Sequence, residues 1–423
     1  MLLNLGKPAD IQHSDDTCVA ILGKRPSTGD IPYLPATGPA AKLFFNEKIT
    51  SNNTGYGGIH PLVSLQSHHT NLSSLISKAL RALPDASEGN KHTLDTEDGT
   101  KHKPDFVTVT RGPGMRSNLS CGLDTAKGLV VAWQVPLMAV HHMQAHALTP
   151  RLAEALEPGS VPNEARPQFP FLTLLVSGGH TLLVHSKSLT NHEIMASTQD
   201  IAIGDALDKI GRVILPEDVV RSATDTAFAK HLSRYAFTME EDYKHWKIPK
   251  SRAEEIVREE NEYGWKMTTP MADTKDLAFS FSGLASQVER LFIAAQDRGM
   301  SSEERLVFAR SAMGTAIEHL GSRTIITLKK LKSEGHMPRT LVVSGGVASN
   351  DFLRYALRKM LNVRGFSDVQ LIFPPVYLCT DNAAMIAWTG VEMYEAGYQS
   401  TLDTLAQRKW SLEKVLQPEV EVA

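Results

Sequence analysis

A chain of 423 residues with a formal charge of −3 is long enough for two or three domains and too balanced to attract nucleic acid by its overall field. An RNA partner would need a local basic patch. Cys18, Cys121 and Cys379 stand far apart without a CxxC pair, which argues against a disulfide framework or zinc knuckle and suits a reducing or matrix-like compartment. No apolar run approaches the roughly 20 residues of a membrane span, so the chain reads as a soluble globular enzyme.

Met1 to Asp10 shows neither the apolar core of a secretory signal nor the Arg-rich character of a transit peptide, so no import signal is visible. Asp15 and Asp16 read as a solvated turn before a strand over 18–22. A Gly-rich loop, Asn52 to Gly58, leads into a helical pattern through Leu65, Leu72, Leu75, Ile76 and Leu80; His60, His68 and His69 lie there as ordinary polar histidines. Residues 84–104 are polar and charged, which predicts a disordered surface insertion. A strand over 106–110, a tight turn at Arg111-Gly112-Pro113-Gly114 and a helix over 119–133 form a βα unit, with the turn at the strand end where open α/β sheets bind ligands.

After a short strand over 136–140 comes His141-His142-Met143-Gln144-Ala145-His146. His142 and His146 are four apart, so on a helix both imidazoles leave one face and can share a divalent cation. Two nitrogens do not close a site; a carboxylate from elsewhere is required, and without one the pair is simply polar. The sequence is not HExxH, and Gln144 cannot act as a base.

Leu174-Leu175-Val176-Ser177-Gly178-Gly179 returns nearly unchanged as Leu341-Val342-Val343-Ser344-Gly345-Gly346. Each copy reads as a buried strand ending in a turn whose missing Cβ atoms let backbone N–H groups approach an anion. Two copies suggest two similar lobes, each offering a glycine turn to one cleft. Between them, Asp205 and Asp208 lie on a helical pattern, where a carboxylate can accept a ribose diol or pair with Lys209. Residues 216–270 read as a charged helical insertion with a solvated face, 278–283 as a strand or extended turn, and 301–332 as a long amphipathic helix. Asn350 can serve a base or ribose, or cap a helix. Asp381 can likewise be an N-cap, and is the best-placed third metal ligand.

Thr108-Val109-Thr110-Arg111-Gly112-Pro113-Gly114-Met115, Gly122 to Leu129, His141 to His146, Leu175 to Thr181, Ser344 to Asn350 and Thr380 to Met385 resemble, in this order, the tRNA N6-adenosine threonylcarbamoyltransferase family, the TsaD group. The likeness runs from about residue 14 to 390. Asp200-Ile201-Ala202 with Gly204 to Lys209 looks more like its mitochondrial branch. The resemblance implies an α/β ASKHA (actin-like, sugar-kinase-like) fold of two duplicated lobes around a nucleotide cleft, with lobes at 1–150 and 151–423 and the last helix able to return to the first. It implies that threonylcarbamoyl-adenylate, made by a separate synthase, donates its acyl group to N6 of the adenosine 3′ of the anticodon in tRNAs reading ANN codons. His142, His146 and Asp381 would hold one divalent metal of the Fe or Zn type. Leu175, Val176, Ser177, Gly178, Gly179, Asp208 and Asn350 would line the adenylate. A mitochondrial homodimer with no membrane contact is the implied form.

Three departures stand out. The family's first strand looks missing before residue 14, the Tyr-Pro-Gly-Gly loop after Asp208 is replaced by Leu215-Pro216-Glu217-Asp218, and Gln144-Ala145 stands for Glu-Gly. A non-catalytic binding subunit that lost its first strand, or an ASKHA phosphotransferase or ATPase, are the competing readings.

Overall fold

The computed structural model describes residues 2–5 (backbone only), 16–25, 34, 38–53, 56, 60–161, 164–222 and 227–417. Ile11 to Asp15 and parts of the 52–58 loop lie outside them. The chain divides into two compact units: Met1–Phe169, Ser186–Glu193 and Pro374–Ala423 form the first, Pro170–His185 and Ile194–Phe373 the second. The last helix, buried from Ala383 to Met393, has no polar face to leave in water and lies in the first unit.

The first unit runs β1 (Leu2–Leu5), β2 (Asp16–Lys24), β3 (Ala41–Thr50), α1 (Pro61–Arg81), β4 (Thr93–Thr96), β5 (Gly99–His102), β6 (Phe106–Gly112), α2 (Arg116–Trp133), β7 (Leu137–His141) and α3 (His142–Ala155). Its sheet has the order β3-β2-β1-β6-β7. The strand expected to be missing is β1: it pairs antiparallel with β2 and parallel with β6, Leu2 opposite Phe106 and Leu5 opposite Val109. Its four-residue apolar pattern was too short to stand out. Asp16 is also not in a solvated turn; it is 7% exposed at the start of β2, paired with Lys48 at 2.9 Å and accepting from the Thr50 hydroxyl. Residues 84–104 are not a disordered insertion. They hold the β4–β5 hairpin, turned at Gly99 with φ +110°, and Lys101 is buried against Asp85 at 2.6 Å. A core of Val19, Ile21, Leu75, Val107, Val109, Leu123 and neighbours lies between this sheet, α1 and α2.

The second unit contributes β8 (Phe171–Val176), β9 (Thr181–Ser186), β10 (His192–Thr198), α4 (Ile203–Ile214), α5 (Glu217–Ser222), α6 (Phe228–Ala236), α7 (Arg252–Ile256), β11 (Ala278–Phe279), α8 (Ser282–Asp297), α9 (Ser302–Ser333), β12 (Thr340–Ser344), α10 (Asp351–Val363) and β13 (Gln370–Ile372). Two further helices, α11 (Val376–Cys379) and α12 (Ala383–Glu395), return to the first unit. The second sheet has the order β11-β10-β9-β8-β12-β13. Apart from the edge strand β11, both sheets place their strands third, second, first, fourth, fifth. The duplication expected of the ASKHA class is therefore carried by strand order.

The two Ser-Gly-Gly copies do not mark the two lobes. They end β8 and β12, which are parallel neighbours in one sheet, with Val343 opposite Leu174 and Ser344 opposite Leu175. Both strands are fully buried, which is why their sequences converge on the same apolar run. The charged insertion at 216–270 is not only solvated either. Glu255, 1% exposed, is held by Arg252 (2.9 Å), Arg364 (2.6 Å) and the Ser322 hydroxyl (2.7 Å), which fastens α7 to α9 and α10. Such a carboxylate is tolerated inside only because its oxygens are all partnered.

Candidate functional site

In the first unit, β7 ends at His141 and α3 starts at once. His141 is the N-cap: its Nδ1 accepts the Met143 N–H at 3.1 Å, and its Nε2 donates to the Trp410 carbonyl at 3.0 Å. Both its ring nitrogens are thus committed to the backbone. His142 and His146, one turn apart, project from α3 with ring centroids 4.6 Å apart and planes at 81°. Val140 and Ala145 pack with Met385 and Ile386, which fixes α3 beside α12. Gln144 donates to the Leu189 carbonyl at 2.7 Å, a structural tie rather than a base.

Asp381 stands just before α12. The cap of that helix is Asn382, whose Oδ1 accepts the Met385 N–H at 3.0 Å, so the N-cap role open to Asp381 is taken by its neighbour. The Asp381 carboxylate turns to the histidines: Oδ1 lies 2.8 Å from His146 Nε2 and 3.5 Å from His142 Nε2. Burial alone would raise its pKa. The charge of His142 and the hydrogen bonds from His142 and His146 overcome that and hold it well below the usual carboxylate range. The imidazoles are almost fully buried and the carboxylate one-fifth exposed, so the group is open on the acid's side.

One donor atom from each of the three residues lies within 4.8 Å of the others, and among the described residues they form the cluster of His, Cys, Asp and Glu able to hold a metal. Ligands of one divalent cation, each about 2.0–2.2 Å from it, lie within roughly 4 Å of one another. Two imidazole nitrogens and a carboxylate oxygen suit a first-row divalent ion. The residues present fit a metal.

The second candidate group lies in the second unit. Leu175 and Val176 are buried at the end of β8. In the turn that follows, Ser177 Oγ accepts the N–H groups of Gly179 (3.3 Å) and His180 (3.0 Å), and Ser177 O accepts the Gly204 N–H at 3.2 Å. The glycines are there for close approach. A Cβ at Gly345 (φ +99°) would sit 2.4 Å from Val176 O, and one at Gly204 would sit 2.6 Å from Ser177 O and 2.8 Å from Gly178 Cα. The start of α4 and both Ser-Gly-Gly turns therefore meet backbone to backbone.

On α4, Asp205 pairs with Lys209 at 2.9 Å, whereas Asp208 accepts the Ala229 N–H at 2.6 Å in the first turn of α6. Asn350 caps α10 through the Leu353 N–H at 3.0 Å. Where the Tyr-Pro-Gly-Gly loop was expected, Leu215-Pro216 leads straight into the short exposed helix α5.

Asp200 carries no signal of its own in the sequence beyond the Asp200-Ile201-Ala202 segment. Its carboxylate accepts from the Ser280 and Ser282 hydroxyls, both at 2.6 Å, and from the N–H groups of Ile201 (2.7 Å) and Phe281 (3.0 Å). Burial would raise its pKa, but the two serines, followed by the backbone donors, lower it to about 2. The alternating serines of Phe279-Ser280-Phe281-Ser282 were the available signal.

Residues 43–388 match the family described as TsaD, tRNA N6-adenosine threonylcarbamoyltransferase. The chain belongs to this family. A mitochondrial tRNA N6-adenosine threonylcarbamoyltransferase of Schizosaccharomyces pombe is 35% identical over 86% of this chain and 78% of its own length. The mitochondrial protein of the same description from Danio rerio is 31% identical over 81% of this chain and 74% of its own. A Cereibacter sphaeroides tRNA N6-adenosine threonylcarbamoyltransferase is 30% identical over 86% and 85%. Among solved structures, HypF of T. kodakarensis is similar at 13% identity and a TM-score of 0.42, covering 95% of this chain and 49% of that one, a likeness too slight to argue from. The chain is thus a transferase of the tRNA-modifying class, with an α/β fold of the kind its family implies. No helix of the described residues is long and apolar enough to cross a membrane.

Proposed function

We propose that the protein moves the threonylcarbamoyl group of threonylcarbamoyl-adenylate to N6 of the adenosine 3′ of the anticodon in mitochondrial tRNAs reading ANN codons. The observation that carries this is the meeting of His142, His146 and Asp381 in a chain of this family. In the transfer, the N6 nitrogen forms a bond to the carbamoyl carbon while the bond from that carbon to the phosphate oxygen breaks. AMP leaves, and the nitrogen gives up a proton to solvent.

His142, His146 and Asp381 would hold one divalent ion of the Fe or Zn type, which when bound supplies Lewis-acid stabilisation of negative charge on a substrate oxygen. What the chain itself supplies is preorganisation. α3, buried from His142 to Pro150, fixes two imidazoles on one face. Asp381 stays ionised against its own burial because those rings face it. A charged group held in a mostly dry setting acts more strongly than one in water.

The adenylate would lie along Leu175, Val176, Ser177, Gly178 and Gly179, with Asp208 and Asn350 beside it. The side chains of Asp208 and Asn350 already bond α6 and α10, so the adenylate would meet them as groups positioned by those helices. A separate synthase would supply the adenylate, and the working form would be a homodimer without membrane contact, which the mass in solution tests. The reading as a non-catalytic subunit rested on a lost first strand, and β1 removes that premise.

The test is mass spectrometry of mitochondrial tRNA nucleosides from cells lacking the protein. Wild type restores the threonylcarbamoyl mark and His146→Ala does not. Failure of the wild type overturns the function, and restoration by the alanine variant removes the triad from it.

A further inference from the structure

Within the second unit, outside every residue assigned above to metal or adenylate, lies a cavity of about 230 Å³ between residues 237–267 of the charged 216–270 insertion and α9. It borders a wider groove of about 860 Å³ that shares Trp246, Lys247, Arg258, Glu259 and Glu318 with it. The insertion as a whole carries more acids than bases, so its composition does not suggest an anion site. The cavity lining differs: Lys247, Arg258, Lys266 and Arg310 stand against two carboxylates, Glu259 and Glu318.

Glu318 is already spent, since it accepts the Trp246 Nε1–H at 2.5 Å and is paired with Arg258. Burial pushes its pKa up, and Arg258 and Trp246 pull against that. These bonds fix the half-buried Trp246 ring at the cavity. Arg310 is held by Asp242 at 2.8 Å and by the Ala236 carbonyl at 2.8 Å, and neither Arg258 nor Arg310 uses its Nη1 on a described residue. Lys247 and Lys266 are exposed, with no ion pair or hydrogen bond to a described residue. On α9, Gly314 keeps room for the indole: a Cβ there would come within 3.3 Å of Trp246 Cδ1.

A rigid indole, two fixed guanidiniums with unused donors and two free ammonium groups suit a flat base with an attached phosphate. We propose that this cavity is a nucleotide subsite, with the phosphate on Lys247 and Lys266 beside Arg310 and the base against Trp246. The nucleotide is one of the tRNA's or a free mononucleotide; the first source rests on the proposed function, and the binding chemistry does not.

The experiment measures binding of full-length wild type and of K247A/K266A to tRNA across a salt series, and to AMP alone. If the nucleotide is the tRNA's, the variant binds tRNA roughly tenfold more weakly and the slope of log K against log salt falls by about 2. If it is free, AMP binds the wild type with one more site than the variant, and tRNA affinity is unchanged. Identical tRNA affinity, salt slope and AMP stoichiometry in both proteins overturn the proposal. Threonylcarbamoyl transfer by the wild type is assayed separately, so its failure would sink the proposed function and leave the binding result standing. An unchanged melting midpoint for the variant shows that its fold is intact.

Discussion

In the first unit, side chains 235 positions apart converge: His146 and Asp381 touch, and each carries chemistry that the fold does not otherwise use. In the second, what converges is backbone. The turns after β8 and β12 and the start of α4 approach so closely that a single methyl would collide, while the polar side chains nearby are engaged in capping and tying helices. One region holds a charge against burial, and the other holds shape in the absence of side chains. Substitutions should therefore fail differently in the two places: by lost turnover in the first, by lost stability in the second.

The largest effect is expected at the triad. Asp381→Ala or His146→Ala should lower transfer by more than about a hundredfold, beyond the usual penalty for residues one shell out from a metal. Elemental analysis of the purified proteins should find a divalent ion in the wild type and little in either variant. If the alanine variants turn over normally, charge is not what the first region contributes.

Next comes Gly345→Ala. Both the positive φ and the 2.4 Å approach to Val176 O oppose a Cβ, so a loss of about 2–4 kcal/mol is expected, read as a lower denaturant midpoint. A variant as stable as wild type would show that the second region is not built on backbone contact.

Asp200 sharpens the comparison because it is a charge used for structure. Its carboxyl is held at about 2, below the ordinary value near 3.9, so the ionised form stabilises the fold above that ordinary value. The stabilisation is lost as pH falls from about 4 towards 2. Because the carboxylate is exposed to solvent, Asp200→Asn should cost only about 1 kcal/mol at neutral pH and flatten the acid limb of a stability curve over that window. An unchanged acid limb would place the charge elsewhere.

What could be read from sequence follows the same divide. The i, i+4 histidines and the strand-turn-helix units are local patterns, and their spacing survives into the structure. The partner of the histidines is not local: a third ligand was required by coordination number, and Asp381 was singled out by its place at the head of a helix and by the likeness at Thr380 to Met385, with helix capping a rival claim on it. The Ser-Gly-Gly repeat misled because adjacent buried strands of one sheet obey the same apolar rule as equivalent strands of two lobes. β1 and the β4–β5 hairpin escaped because four-residue strands carry too little periodicity, and their pairing comes from distant partners. Glu255 escaped because a buried carboxylate in a charged run looks like any solvated one until Arg364 is brought to it.

The smallest predicted effect is also the finest cut. Asn350 is the N-cap of α10 by geometry and an adenylate contact by resemblance. Asn350→Ala removes both, and should cost about 1 kcal/mol of stability. Asn350→Asp keeps an oxygen for the Leu353 N–H and so keeps the cap, but it loses the amide donors and places a negative charge beside an anionic substrate. If Asn350 meets the adenylate, the aspartate variant melts like wild type while its KM for the adenylate rises severalfold with kcat little changed. If KM follows stability in both variants, Asn350 acts only through its helix, and the second region contributes shape alone.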